Sequence, residues 1–528
     1  MSADMDEKTP LIRRSTSVSQ IRNSGLFLAV FSAVLGNFSF GYSLVYPSPV
    51  LPQFTGPEAD PRLRMDTAQA AWFGSIYSLG AAAGGLGAMA LNDLVGRKLS
   101  IMMSAVPSAT GVLMSSVQFL SQCFPMCPQC LSVSVTSWPV SRVPRVSTSA
   151  MPASCPVTIS EISHRRVRGA LGSCPQITAV FGALALYSLG LVLPWRWLAL
   201  AGQVPVVLMV LMLAFMPSSP RRLLSQGRSQ KAEAALRWLR GRDYDTGAEL
   251  CIIQHSIDTQ AKVTWSQLAT PIYYRPIGIS VTMRFLQQMT GITPILVYLE
   301  TIFSQSNVSL DPKYDAAIVG AVRLFSVSIA ASLMDRAGRK ALLYTSSLLM
   351  FLATLTLTMI SRATPSCPPG PTPPHNGTTL DCSSHEALGQ TAMGVIPLIG
   401  TMVFIFGYAM GWGPITWLLM SEVLPLVARG VASGLCVTVS WLTAFMVTHA
   451  FTYMVDRYGL VAPYLLFTVV SVLGLLFNAV CIPETRGRSL EEIENYFRTG
   501  RSFTINQHPS TSMSTPVSTP VSTPRQET

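Results

Sequence analysis

Charge is scarce in this chain. Of its 528 residues only 12% are Asp, Glu, Lys or Arg, against 49% hydrophobic, and the mean hydropathy is +0.40. A soluble domain carries about a quarter charged residues, and a globular reading would need a core larger than single domains build. Catalytic apparatus is missing as well. No metal triad, nucleophile–base pair or phosphate loop stands in any soluble stretch, which argues against an enzyme. Gly96-Arg97-Lys98 lacks the upstream glycine spacing and the following Ser or Thr of a phosphate loop. Cys123, Cys127 and Cys130 have no fourth ligand at a metal spacing. A cleavable leader is not expected either, because the first apolar stretch is too long and too Gly-rich for a signal core.

What the chain has in abundance is long apolar runs. A helix needs about 20 such residues to cross a bilayer. Eleven segments qualify: 25–46, 69–91, 99–119, 170–193, 197–216, 277–303, 315–334, 341–360, 391–421, 430–454 and 461–482. Two turns between runs nearly repeat each other about 240 residues apart. They read Asn92-Asp93-Leu94-Val95-Gly96-Arg97-Lys98 and Met334-Asp335-Arg336-Ala337-Gly338-Arg339-Lys340. A repeated charged turn points to a duplicated half, the usual construction of secondary transporters. The expected organisation is a tail over 1–23, a first bundle over 24–216, a soluble linker over 217–270, a second bundle over 271–482 and a tail over 483–528.

The net charge of +11 raises the question of a nucleic-acid partner, but its distribution excludes one. Arg13, Arg14, Arg22, Arg97, Lys98, Arg165, Arg166, Arg221, Arg222, Arg339, Lys340, Arg429 and Arg486 share one face if the chain crosses twelve times. This positive-inside pattern places both termini in the cytosol and makes the lipid bilayer the partner. In the linker, Ser229 to Arg240 has helical periodicity with charged faces, and Gly241 offers a stop. The Ser-Thr-Pro repeats over 514–524 are of low complexity, and the tail is expected to be disordered after about 505.

The motifs, in order, resemble a sugar porter of the major facilitator superfamily. They are Gly36-Asn-Phe-Ser-Phe-Gly-Tyr42, the two Gly-Arg-Lys turns, Pro217-Ser-Ser-Pro-Arg221 and Gln287-Gln288-Met289-Thr290-Gly291. Gly413-Pro414-Ile415-Thr416-Trp417, Glu422 through Arg429-Gly430, and Pro483-Glu484-Thr485-Arg486-Gly487-Arg488-Ser489 complete the set. Leu91 to Ile101 and Gly411 to Leu426 bring the chain nearest to the class III facilitative glucose transporters. The resemblance implies an all-α membrane protein: twelve transmembrane helices in two pseudo-symmetric six-helix bundles, joined by a cytosolic helical linker. It implies a monomeric transport unit and no cofactor.

Sugar hydroxyls buried without partners lose about 1–3 kcal/mol each, and neutral amides on facing helices supply such partners. The resemblance makes Gln176, Gln287 and Gln288 the hexose-contacting amides, Trp417 an aromatic wall and Tyr298 a lid on the far side. Membrane glutamines also serve as helix–helix glue, and for Gln176 that alternative stands level. Three positions depart from the pattern, and two of them, Thr293 and Arg323, stand where such carriers commonly have Asn. An Arg at a helix centre costs about 2.5–3.5 kcal/mol, so Arg323 should face a wet cavity, where it would bear on which substrate fits, or pair with a carbonyl or carboxylate at the edge of the bundle, and the two readings stand level. Ala409 replaces an acidic position used by some relatives.

The charged turns are expected to gate. Asp93, Arg97, Asp335 and Arg339 would meet Glu161, Arg168, Glu422 and Arg429, holding the halves together in one state and parting in the other. Ser43 follows Gly41-Tyr42 where proton-driven relatives carry Asp, which favours uniport over proton symport. Residues 117–157 are anomalous, Pro-rich and without a convincing fourth span. A shifted reading frame would account for this: Trp138-Pro-Val-Ser-Arg142, read one base earlier, can encode Leu-Ala-Gly-Phe-Ala-Gly, as such carriers have there. An intact frame through this stretch in independent transcripts would count against it. A damaged fourth helix would instead leave a transport-incompetent sugar sensor.

Address is expected from Glu7, Leu11 and Ile12, an acidic dileucine pattern read by clathrin adaptors, hence an endosomal or lysosomal membrane, with the plasma membrane as the alternative. Asn376 in a Pro-rich loop is a candidate glycosylation acceptor. Cys367 and Cys382 share that loop and would pair in an oxidising compartment.

Overall fold

The computed structural model describes residues 24–56, 64–106, 108, 168–241, 246–258, 270–306, 311–363, 386–424, 429–485 and 496–497. Glu7, Leu11, Ile12, Glu161, Cys367, Asn376, Cys382 and the anomalous 117–157 stretch lie outside these residues. So do the side chains of Asp93, Arg97, Arg168, Asp335 and Arg429.

Among the described residues every regular element is a helix. The first span is α1 (Ser24–Leu44) continued by α2 (Pro47–Thr55), and the second is α3 (Thr67–Leu94). The third opens with α4 (Arg97–Met103), the fifth is α5 (Arg168–Gly190), and the sixth is α6 (Trp195–Ala201) plus α7 (Val204–Ala214). The linker holds α8 (Pro220–Ser225), α9 (Ser229–Arg240) and α10 (Thr246–Asp258). In the second half the seventh span is α11 (Pro271–Met289), α12 (Ile292–Val297) and α13 (Leu299–Gln305). Next come α14 (Pro312–Ala337), α15 (Arg339–Ala363), α16 (Glu386–Met410) with α17 (Pro414–Val423), α18 (Arg429–Tyr458) and α19 (Val461–Cys481). Seven of these stretches are long and apolar enough to cross a membrane by length and composition.

The two halves repeat each other in packing. The pairs α1–α5, α1–α7, α4–α7 and α3–α4 have the counterparts α11–α18, α11–α19, α15–α19 and α14–α15. Two long seams join the halves, α3 along α18 and α5 along α14, and the same exchange of halves converts one seam into the other; α2 also meets α12 and α13 across the divide. The repeated turns match in backbone detail. Gly96 has φ 94° and ψ 157°, and Gly338 has φ 90° and ψ 154°, so each turn uses a glycine in a conformation that L side chains rarely adopt. The duplication read from the residues is thus present in the backbone.

Close packing explains the glycines of the first bundle. A β-carbon on Gly41 would run into the carbonyl of Ala179, and one on Gly182 into that of Phe38, so α1 and α5 touch backbone to backbone. The linker docks under this bundle. Leu239 of α9 packs with Leu26 and Val30 of α1, Gly241 ends α9 with φ 107°, and Arg240 pairs with Glu249 of α10 at 2.9 Å.

Several spans that hydropathy presents as continuous are broken. The run 277–303 turns at Thr290-Gly291, where Gly291 has φ 85° and a β-carbon would overlap the ring of Phe467. The run 391–421 breaks at Gly411-Trp412-Gly413, where a β-carbon on Gly411 would meet Ser346 and the carbonyl of Leu342. Breaks at membrane depth are tolerated where protein re-satisfies the freed backbone groups. In carriers, such discontinuous helices form the binding site.

Candidate functional site

The seventh span supplies the centre of the site. Arg284, Gln287 and Gln288 lie one turn apart on α11, so their side chains share a face. Gln287 is 1% exposed and Gln288 5%. The Nε2 group of Gln287 donates to the Tyr408 hydroxyl at 2.9 Å and to the Trp412 carbonyl at 2.7 Å. That carbonyl lies in the break between α16 and α17, where it also accepts from the Thr416 hydroxyl at 2.9 Å. The Oε1 atom of Gln287 accepts from Nη1 of Arg284.

Gln288 bridges two other elements. Its Nε2 group donates to Oγ of Ser440 on α18 at 3.1 Å, and its Oε1 accepts from Oγ1 of Thr293 at 2.7 Å. The turn at Gly291 folds the chain back so that Thr293 reaches the amide five residues before it. Ser440 is followed by Trp441, which meets Phe40 of α1 edge-on at 5.6 Å and Tyr77 of α3 at 6.5 Å. The amide cluster therefore sits in the second half, directly beside aromatic contacts with the first.

Trp412 is held in place by neighbours on α15 and α19. Its indole N–H donates to Ser347 at 2.7 Å, its backbone N–H to Ser346 at 3.2 Å, and Asn478 donates to the same Ser347 at 3.0 Å. Trp417, half-buried, lies under Arg284, whose guanidinium carbon is 4.0 Å from the ring centroid. A cation over an indole face is a favourable contact. Thr416 accepts from Arg284 at 3.4 Å.

The end of the bundle away from the charged turns is closed. Tyr298, between α12 and α13, is 2% exposed, stacks on Phe451 at 5.4 Å and 9°, and fills the notch left by Gly74. Ser48 accepts from the backbone N–H of Glu300 at 3.2 Å, and Tyr187 donates to the Leu296 carbonyl at 2.9 Å, each bond crossing between halves. Ser75 and His449 meet at 3.2 Å along the α3–α18 seam. Outside this seal lies a vestibule of about 550 Å³ lined by Leu51, Arg64, Asp66, Tyr298, Thr301 and Asp456, among others.

The structure thus brings together Gln287, Gln288 and Thr293, and sets Trp417 beside them through Arg284. Gln176 stands apart on α5, half-buried, with no hydrogen-bond partner among the described residues. Arg323, on α14, is 8% exposed and likewise lacks a hydrogen-bond partner among the described residues. Of the gating residues, the described pair is Arg339 with Glu422 at 3.3 Å. It joins α15 to α17 inside the second half and not one half to the other. Glu422 also accepts from Thr485 at 2.7 Å, and Glu484 accepts from the backbone N–H groups of Arg339 and Lys340 at 3.2 and 3.1 Å.

Sequence reasoning passed over Arg284, Tyr408, Ser440 and Trp441. Arg284 carried a usable signal, since a charge inside an apolar run, one turn before a pair of amides, is rarely idle. Tyr408, Ser440 and Trp441 carried none, because hydroxyls and aromatics are common in such helices.

Comparison with known proteins agrees with this architecture. The model of the family described as "Sugar (and other) transporter" matches residues 28–497. The human solute carrier family 2, facilitated glucose transporter member 6 is 52% identical, covering 92% of this chain and 93% of its own. The facilitated trehalose transporter Tret1 of Apis mellifera ligustica is 32% identical over 91% of this chain and 89% of its own. Among solved structures, the partially occluded inward-open xylose transporter XylE from E. coli superposes with a TM-score of 0.68 at 23% identity, over 88% of this chain and all of that one, a likeness of fold. The chain belongs to the sugar transporter family, with the major facilitator fold of twelve helices in two related bundles, and within it to the class III facilitative glucose transporters typified by member six.

Proposed function

We propose that this protein moves a hexose-type sugar through its membrane by alternating access, as a uniporter. The observation that carries the reading is the amide pair Gln287–Gln288, buried at a helix break and held by Tyr408, Ser440 and Thr293. Such hydroxyl partners are the ones a sugar hydroxyl can replace one for one. Gln176, Thr293 and Trp417 complete the lining in this reading. Tyr298 acts as the lid between the site and the vestibule, and the two bundles rock about the α3–α18 and α5–α14 seams. The name of the human relative, a facilitated glucose transporter, supports the sugar class. Ser43 in place of an acidic residue supports uniport. The dileucine pattern at Glu7, Leu11 and Ile12 supports adaptor binding and an endosomal or lysosomal address with cytosolic termini.

Reconstituted full-length protein tests this. Uptake of labelled D-glucose into liposomes without a pH gradient is the expected result. Uptake only with a gradient would assign symport, and sugar binding without flux would assign a sensor.

A further inference from the structure

Two buried guanidiniums, neither in an ion pair among the described residues, share the centre of the molecule. Arg284 is 1% exposed and Arg323 8%. The partners of Arg284 are all neutral: the Gln287 amide oxygen, the Thr416 hydroxyl and the Trp417 ring. Arg323 has no hydrogen-bond partner among the described residues, and the Nε of each arginine is buried without one. Both lie within electrostatic reach of the same Tyr408 hydroxyl, which itself accepts from Gln287. Arg284 thus touches the amide cluster directly, and Arg323 is tied to it through Tyr408.

Among the described residues no carboxylate forms an ion pair with either arginine. The segments that build the centre, 24–44, 67–92, 168–190, 271–299, 316–334, 387–421 and 429–455, contain no Asp or Glu at all. The nearest acid on the helix of Arg323 is Asp315, eight residues away, or about 12 Å at 1.5 Å per residue. Glu300, whose backbone N–H donates to Ser48 in the sealed far end, shares with Arg323 the electrostatic reach of Tyr187 but forms no ion pair with it among the described residues. The ion pairs between two described residues, Arg237–Glu233, Arg240–Glu249 and Arg339–Glu422, lie elsewhere.

Burying an uncompensated charge is expensive by several kcal/mol per ion. The Trp417 ring and Gln287 meet part of that for Arg284, whereas nothing described meets it for Arg323. A guanidinium is a planar fork of donors that matches a carboxylate with two parallel hydrogen bonds. Resting on the carrier reading above, we propose that the site prefers a sugar bearing a negative charge, a hexuronate, whose ring hydroxyls take the Gln287–Gln288 end while its carboxylate lies between Arg284 and Arg323.

The test uses full-length protein in two formats. In detergent, thermal stabilisation is titrated with D-glucuronate and with D-glucose. In liposomes, counterflow of each labelled sugar is measured against the other. Glucuronate should act at concentrations at least about tenfold lower than glucose, the scale of a charge-assisted hydrogen bond. Arg323→Asn and Arg284→Gln should each remove that preference, while Arg323→Lys should keep part of it. If glucuronate is no better than glucose in either format, or its advantage survives Arg323→Asn, the charge preference is wrong although glucose carriage stands. If neither sugar shows counterflow, the carrier reading fails, and the detergent titration still decides the charge preference.

Discussion

The hydroxyl end of Tyr298 occupies the space that a β-carbon on Gly74 would need. Tyr298 belongs to the second half and Gly74 to the first, so their fit makes closure of the far end depend on a missing side chain. Gly74→Val should prevent Tyr298 from seating. Ser48→Cys, introduced at a fully buried position of the same seal, would report this through labelling by a membrane-impermeant maleimide. Labelling should rise and counterflow should fall by about tenfold, equivalent to 1.4 kcal/mol. Unchanged labelling would mean that the tyrosine does not close there.

The stack of Tyr298 on Phe451 contributes about 0.5–1.5 kcal/mol beyond its area. Tyr298→Phe should therefore leave transport nearly intact, and Tyr298→Ala should impair it. Phe451→Ala should impair it to a similar degree. The double Ala variant should be no worse than the single ones by more than a few tenths of a kcal/mol, because one contact is being removed twice. Full additivity in counterflow rates would contradict a shared lid.

Loss of an amide should be felt in affinity. Gln287→Ala strips a donor from Tyr408 and an acceptor from Arg284, leaving buried groups unpaired at about 1–3 kcal/mol. Apparent KM for glucose exchange should rise by about tenfold or more. Ser440→Ala removes one neutral bond to Gln288 and should raise it less, by about 0.5–1.5 kcal/mol. An equal effect of the two would show that the site is not centred on Gln287.

The start of α15 is held by Glu422 of the second bundle and Glu484 at the beginning of the tail. Glu484 accepts from two of its first backbone N–H groups, and negative charge at a helix N-terminus stabilises by about 0.3–1 kcal/mol. Glu484→Gln should lower the melting temperature of the purified protein by a few degrees with little change in sugar affinity. Arg339→Gln should do the same and couple to Glu422→Gln. A large change in affinity without loss of stability would assign these residues to the gate between halves.

Much of the architecture was legible in the residues, for physical reasons. Apolar runs of bilayer length mark spans because nothing else tolerates them, and the Gly96 and Gly338 turns announce the duplication through a conformation only glycine adopts freely. The breaks at Gly291 and Gly411 to Gly413 were hidden, because hydropathy counts side chains while a break is a backbone event. Gln287 and Gln288 stood out as polar neighbours in an apolar run. Arg284 was read past, although the same rule flags it. Arg339 and Glu422 were expected among the charges that meet, but that their contact stays within one bundle was not legible, since charge complementarity alone does not say which of several partners lies nearest.

The fold-back at Gly291 has a thermodynamic consequence. In the carrier reading proposed above, a sugar hydroxyl would compete with Thr293 for the Gln288 oxygen, and Thr293 lies in the first turn of the short helix that Tyr298 caps. Whatever occupies that oxygen therefore also loosens the root of the latch, and by reciprocity the latch's position alters how tightly the oxygen is held. Affinities measured from opposite sides of the membrane should then differ, giving an asymmetric carrier with no energy source beyond the solute gradient.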